Sequence, residues 1–165
     1  MYVFLLLFSG VSGEHWLGLD NIHMLTFQDY YTLRVDLTNW ERKTMTVEYD
    51  LFMVEDEHED FRLLIQGFQG GEAGDGLAKH HGQKFSTKDR DNDKAVEDFG
   101  GSCAQRFYGA WWYYKCYQSN LNGKYYKGGK IDEGLYDGVS WKPWTGSTIS
   151  LKKVEMKIRP KSAKK

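Results

Sequence analysis

Phe85-Ser86-Thr87-Lys88-Asp89-Arg90-Asp91-Asn92-Asp93, followed by Ser102-Cys103-Ala104 and Gly109-Ala110-Trp111-Trp112-Tyr113-Tyr114-Lys115-Cys116, is the stretch on which the reading of this chain turns. It has neither helical nor strand periodicity, yet it holds both cysteines, carboxylates at alternate positions and the densest run of aromatics. Hard oxygen ligands spaced as Asp89, Asp91 and Asp93 can converge on Ca²⁺; the same residues also suit a solvated acidic turn screened by Arg90 and Lys94. The loop is no EF-hand, because its sixth position is Lys94 rather than Gly and its twelfth is Gly100 rather than Glu. No phosphate site accompanies it for Mg²⁺. A bridge between Cys103 and Cys116 would stabilise by about 3 kcal/mol in the chain-entropy model; two buried thiols are the alternative in a reducing compartment. Neither the spacing nor the neighbouring histidines suit a CxxC or zinc site.

Upstream of this stretch the pattern is regular. Leu33, Val35 and Leu37 alternate with polar residues over Thr32–Leu37, as do Met45, Val47, Tyr49, Leu51 and Met53, then Phe61, Leu63 and Ile65; each predicts a half-buried strand. Acidic Glu55–Asp60 reads as a hairpin connection. Val154, Met156 and Ile158 predict a last strand stopped by Pro160. His15–Leu25 is the best helix candidate, with Trp16, Leu19, Ile22 and Met24 on its apolar face. After Gly67 periodicity fades for about eighty residues, improbable in a compact domain unless a metal ion or a disulfide organises it.

The chain has 165 residues and a formal net charge of −1, with 41% hydrophobic, 27% charged and 16% aromatic residues. One domain, or part of a larger one, with a core is implied, and wholesale disorder is excluded. The neutral balance offers no footprint for nucleic acid, and Lys161, Lys164 and Lys165 read as a short basic tail. Apolar Tyr2–Phe8, followed by Ser9, Gly10, Ser12 and Gly13, is too short to span a bilayer. It reads as the apolar part of a secretory signal, as a buried strand or as a truncated start to the gene product. Gly67–Gly76 lacks the residues of a nucleotide-binding loop, and no nucleophile elbow or HExxH occurs. Adjacent His80 and His81 read as surface or structural histidines. No acid or base sits in an evident apolar pocket, so an enzyme is not expected.

A resemblance joins these pieces. The Gly13-Glu14-His15-Trp16-Leu17-Gly18 segment, Leu33–Leu37, Phe85–Asp93, Cys103–Cys116, Ser119-Asn120-Leu121-Asn122-Gly123-Lys124-Tyr125, Gly138-Val139-Ser140-Trp141 and Glu155–Pro160 together are similar to the fibrinogen C-terminal domain family, in the branch of ficolins, tachylectins, angiopoietins, tenascins and microfibril-associated glycoproteins. The resemblance implies an α+β fold with a twisted, mainly antiparallel sheet and a loop-rich calcium-binding lobe. It implies an extracellular, secreted setting and a Cys103–Cys116 disulfide. It also implies a Ca²⁺ site with Asp91 and Asp93 as side-chain ligands, completed by loop carbonyls and water. Here the chain departs from the pattern, since Lys94–Ser102 is longer than usual. The layout expected is a leader over 1–12, the domain over 13–160 without the family's N-terminal subdomain, and a tail over 161–165.

In lectin-like members a cis peptide just before the second cysteine shapes a pocket for an acetyl group. The matching bond is Lys115–Cys116, and the matching positions are Phe107, Tyr117 and Leu135 or Tyr136. Phe107 and Tyr117 depart from the Tyr and His frequent there; Tyr117 keeps an aromatic wall and a hydroxyl. Trp111 to Tyr114 either offer rigid aromatic area beside the pocket or, in the case of Trp111 and Trp112, pack the lobe. The function this implies is a calcium-dependent lectin-type module for acetylated or other glycans in innate defence. The alternative is a module for extracellular protein receptors, of the angiopoietin or tenascin kind. Relatives cluster through upstream regions that this sequence does not contain.

Overall fold

A computed structural model describes residues 2–8, 15–95 and 101–162. The small residues Ser9, Gly10, Ser12 and Gly13, the family-like Glu14, the middle of the Lys94–Ser102 segment, and Lys164 and Lys165 lie outside the described residues. Strands β1 (Val3–Phe8), β2 (His15–Trp16), β3 (Tyr31–Thr38), β4 (Thr44–Val54) and β5 (Leu63–Phe68) come first in the chain, with helix α1 (Leu19–Gln28) between β2 and β3. Helix α2 (Cys103–Arg106), strands β6 (Ser119–Asn120) and β7 (Ser140–Trp141), helix α3 (Lys142–Thr145) and strand β8 (Lys153–Pro160) follow. Six of the strands form one sheet in the order β2-β1-β8-β3-β4-β5, antiparallel throughout, and β6 pairs with β7 in a small second sheet.

The alternation over Thr32–Leu37 places Leu33, Val35 and Leu37 fully inside. They stand in register with Ile158, Met156 and Val154 of β8, a strand more than a hundred residues away. The opposite face carries charge: Arg34 Nε donates to Asp36 at 2.9 Å, Thr46 Oγ1 donates to it at 2.6 Å, and Lys157 bridges Asp36 and Glu155. The β3–β4 connection turns on Asn39, whose side chain accepts from the Lys43 N–H at 2.9 Å, with Arg42 in the left-handed region at φ 67°. The β4–β5 connection is the expected acidic one. Asp56 caps a single 3₁₀ turn over Glu57–Glu59, and the chain leaves it through left-handed Asp60.

Two sequence expectations change near the start. The apolar Tyr2–Phe8 run supplies β1, which pairs with β8, and Leu5 is fully buried in the sheet. The sheet therefore takes in residues ahead of position 13. The helix expected over His15–Leu25 instead runs over Leu19–Gln28, because His15 and Trp16 pair with Leu7 and Leu6. Gly18, at φ 88°, turns the chain out of the strand and its carbonyl accepts the Ile22 N–H at 3.0 Å. Ile22 and Thr26 face inward, whereas Met24 is exposed. Thr26 Oγ1 donates to the Ile22 carbonyl at 2.8 Å and accepts from the Val54 N–H at 3.2 Å, fastening the helix to β4.

The second half is organised by large aromatics instead of a ladder. Trp111, Trp112, Tyr113 and Trp141 are completely buried. The polar ends of three of them tie the loops together: Trp112 Nε1 donates to the Phe61 carbonyl at 2.7 Å, Trp141 Nε1 to those of Ala73 and Gly74 at 3.1 Å, and Tyr113 Oη to the Asn120 side chain at 2.6 Å. Such bonds satisfy groups that a sheet would otherwise pair. Gly76 leaves no room for a side chain, since a Cβ there would lie 2.4 Å from Trp141 Cε2. Gly76→Ala is expected to cost about 1–3 kcal/mol by overpacking; an unchanged urea midpoint would mean that the lobe yields freely at Trp141.

Candidate functional site

Cys103 and Cys116 are joined by a disulfide, with S–S 2.08 Å and Cα–Cα 5.5 Å. One half starts α2, where Ser102 Oγ caps the Gln105 N–H. The other closes a tight turn: the Tyr114 N–H donates to the Cys116 carbonyl at 2.8 Å, and the Lys115–Cys116 peptide is cis. Beside this turn lies a cleft of ≈ 250 Å³ lined by Lys79, Tyr114, Lys115, Cys116, Tyr117 and Gln118.

The expected pocket residues meet unevenly there. Lys115, Cys116 and Tyr117 line the cleft. Phe107 stands behind it, its ring edge-on to Tyr117 with centroids 5.0 Å apart. Tyr136, left-handed at φ 53°, accepts the Tyr117 hydroxyl proton at its backbone carbonyl while its own side chain is exposed. Tyr117 thus keeps the aromatic wall, but its hydroxyl proton is spent inside the protein. Burial pushes that phenol up to about 12. Leu135 is exposed and is not among the residues lining the cleft. Of the run Trp111 to Tyr114, the first three are core and Tyr114 alone reaches the cleft wall.

His80, which follows from no motif, holds the site in shape. It is fully buried on a 3₁₀ turn over Ala78–His80. Nδ1 bonds the Trp112 carbonyl at 2.7 Å, so it carries the proton; Nε2 accepts the N–H groups of Gln118 at 3.0 Å and Ser119 at 3.2 Å. One imidazole thereby clamps the chain on both sides of the disulfide turn. Burial holds its pKa down at about 4, so it is neutral at physiological pH. His81, by contrast, is exposed and accepts the Ile65 N–H at 3.1 Å.

The acidic turn is knitted to the same region. Asp93 Oδ2 accepts the Cys103 N–H at 2.7 Å and Oδ1 the Ala95 N–H at 2.8 Å, while Asp91 Oδ1 accepts the Asp93 N–H at 3.2 Å. The Lys94 N–H donates to the Tyr114 carbonyl at 2.9 Å. Burial, and a smaller push from the Asp91 carboxyl facing it, raise Asp93 above its ordinary value although the two N–H groups act the other way. Two converging carboxylates with spare lone pairs, one of them partly desolvated, suit a hard cation. Among the described residues no group of three His, Cys, Asp or Glu could hold a metal, so backbone carbonyls and water would have to complete the shell. Asp89 is turned away to the Thr87 hydroxyl, at 2.6 Å.

A larger open cleft, ≈ 590 Å³, lies elsewhere, lined by Trp16, Phe85, Lys88 and Tyr108 among others. It contains none of the expected pocket residues.

The family model for the C-terminal globular domain of fibrinogen beta and gamma chains matches residues 6–161. The chain belongs to the fibrinogen C-terminal domain family. It is 46% identical over 158 residues to Fibrinogen C domain-containing protein 1 of Xenopus tropicalis, covering 93% of this chain and 33% of that protein. It is 45% identical over 153 residues to human Tenascin-R, covering 93% of this chain and 10% of that protein. The chain therefore spans a third or less of these relatives. The fibrinogen-like globe domain of human ANGPTL2 superposes with a TM-score of 0.89 at 37% identity, over 96% of this chain and 80% of that one. The fibrinogen-like fold, with its antiparallel sheet and few helices, is that of the family. Among the described residues no helix is long and apolar enough to cross a membrane.

Proposed function

We propose that this fibrinogen-like domain is an extracellular, calcium-dependent recognition module of lectin type, taking acetylated or other glycans, as in innate defence, in the cleft beside Lys115–Cys116. The observation that carries the reading is the construction of that cleft. A disulfide turn is braced by a buried His80 and walled by Tyr114 and Tyr117. Rigid aromatic walls with a few fixed polar groups are what a shallow sugar site needs. Ca²⁺ at Asp91 and Asp93, completed by carbonyls and water, would stiffen the floor, since Asp93 also holds the Cys103 N–H. The lining of lysines, tyrosines and a glutamine suits binding rather than catalysis.

A second reading, a module for extracellular protein receptors, is favoured by the similarity to Tenascin-R and to the ANGPTL2 globe domain. A glycan array probed with the purified protein in calcium and again in chelator separates the two. Binding that needs calcium and is eluted by free N-acetylated sugar is expected; silence on every glycan would overturn the lectin reading in favour of the protein-binding one.

A further inference from the structure

The larger cleft, ≈ 590 Å³, shares no lining residue with the one beside Lys115–Cys116 and has a charge pattern of its own. Part of its lining is aromatic. Phe85 is buried and stands edge-on to Trp112 with ring centroids 5.1 Å apart, and half-buried Trp16 lies nearly parallel to Phe85 at 6.2 Å. Tyr108 lines the cleft as well. Its side chain is 59% exposed and its backbone is left-handed at φ 49°, a conformation that costs a residue other than glycine about 1 kcal/mol or more.

The polar part of the lining is rich in acceptors. Thr87 to Arg90 form a tight turn, closed by the Thr87 N–H to the Arg90 carbonyl at 2.9 Å and by the reverse bond at 3.3 Å. The Lys88 carbonyl accepts Gln105 Nε2 at 3.0 Å, which ties the turn to α2. Thr87 spends its hydroxyl proton on Asp89 Oδ1 at 2.6 Å. Asn122 turns its Nδ2 to the Ala110 carbonyl at 3.0 Å and keeps Oδ1 as an acceptor. Asp89 is exposed and, among the described residues, makes no ion pair. The cations on either side of it are committed elsewhere. Arg90 reaches Asp60 and Glu57, and Lys88 places its Nζ 5.0 Å from the centroid of the Tyr108 ring.

An unpaired carboxylate, a second oxygen acceptor and the face of an indole together select a flat cation with several donors. A guanidinium is such a group: it stays charged, stacks on aromatic rings and reaches a carboxylate through two N–H groups at once. An anion would oppose Asp89, and a neutral sugar would leave that charge unused. We infer that this second cleft docks an arginine side chain of a protein partner, its guanidinium paired with Asp89, stacked on Trp16 and donating to Asn122 Oδ1. The cleft is larger than one side chain fills, so the residues flanking that arginine in an extended partner segment have room beside Tyr108. Lys88 is the one cation lining the cleft and works against the docked charge, which gives the site a second, oppositely signed handle.

Three tripeptides with blocked ends test the inference: Gly-Arg-Gly, Gly-Lys-Gly and Gly-citrulline-Gly, citrulline having the shape of arginine without its charge. Each is titrated into the full chain and followed through the NMR signal of the Trp16 indole N–H. The arginine peptide is expected to bind about tenfold tighter than the citrulline peptide and about threefold tighter than the lysine peptide, with the advantage shrinking toward about 0.5 M salt. Asp89→Asn keeps an acceptor for the Thr87 hydroxyl and is expected to bring the arginine peptide down to the citrulline level. Lys88→Gln is expected to tighten the arginine peptide about threefold and to leave the citrulline peptide unchanged. Equal affinity for arginine and citrulline, or an arginine advantage that survives Asp89→Asn, would overturn the inference. A titration that moves the signals of Lys115 and Gln118 while the Trp16 indole stays in place would overturn it too, by putting the peptide in the other cleft.

Discussion

His80→Ala is expected to lower stability by roughly 3–5 kcal/mol, because it opens a cavity and strands three buried backbone groups at once. Those groups are the Trp112 carbonyl and the N–H groups of Gln118 and Ser119. Ser119 and Trp112 are fully buried, so water cannot readily replace the imidazole at those two groups, whereas Gln118 borders the cleft. The same imidazole imposes a pH dependence of definite sign. Its ordinary value is 6.5 and its native value about 4, so between these limits the unfolded chain binds the extra proton. The contribution is complete above the unfolded value, declines as pH falls through the window, and is gone below the folded value; about 3 kcal/mol is at stake. His80→Gln, which cannot take up a proton, provides the control. Urea midpoints of the wild type should fall between pH 7 and pH 4.5 by more than those of the glutamine variant. Equal slopes for the two proteins would show that His80 titrates normally and is not the clamp described here. Glycan binding should fall with His80→Ala as well, since the cleft turn loses the residue that fixes both of its flanks.

The contrast between what the residues foretell and what they conceal follows the same physics. β3, β4, β5 and β8 are legible because each has one face in the core and one in solvent, and a period of two records that division directly. β1 is ambiguous for the opposite reason. An uninterrupted apolar run has no polar face to mark it as a strand, and its partner β8 is at the other end of the chain. The helix starts later than its apolar spacing predicts because Gly18 and the pairing of His15–Trp16 with β1 override that spacing. In the second half, burial attaches to single large residues such as Trp111 and Trp141, whose neighbours are distant in sequence, so no local period exists to be read. The clamping role of His80, read from sequence only as a surface or structural histidine, is hidden for that reason. It lies 36 residues from Cys116, and only the folded chain reveals that it accepts the N–H groups of Gln118 and Ser119. The Cys103–Cys116 bridge that the resemblance implies is present, joining two residues of one stretch.

Calcium is expected to raise the melting temperature of the wild-type protein, and the acidic turn offers a way to separate the cation from the hydrogen bonds that share its ligands. A site saturated a hundredfold over its dissociation constant stabilises by about 2.7 kcal/mol. Asp93→Ala removes a ligand and also leaves the N–H groups of Ala95 and Cys103 without acceptors, so it should lose roughly 2 kcal/mol even in chelator. Asp91→Asn is the discriminating change: an amide oxygen can still accept the Asp93 N–H, whereas a negative ligand is lost. In chelator Asp91→Asn should melt with the wild type, and in millimolar calcium it should fail to follow it upward. The two variants then read different quantities, the first the local hydrogen bonds and the second the ion alone. A wild-type melting curve indifferent to calcium would dispose of the cation and leave Asp93 as a clamp on the Cys103 backbone. A calcium shift retained in full by Asp91→Asn would instead move the ion away from this pair. Because Asp93 meets the disulfide at Cys103 and Lys94 meets Tyr114, a shift confined to the wild type should come with a calcium requirement for glycan binding, the stiffness of the floor reaching the cleft through those two contacts.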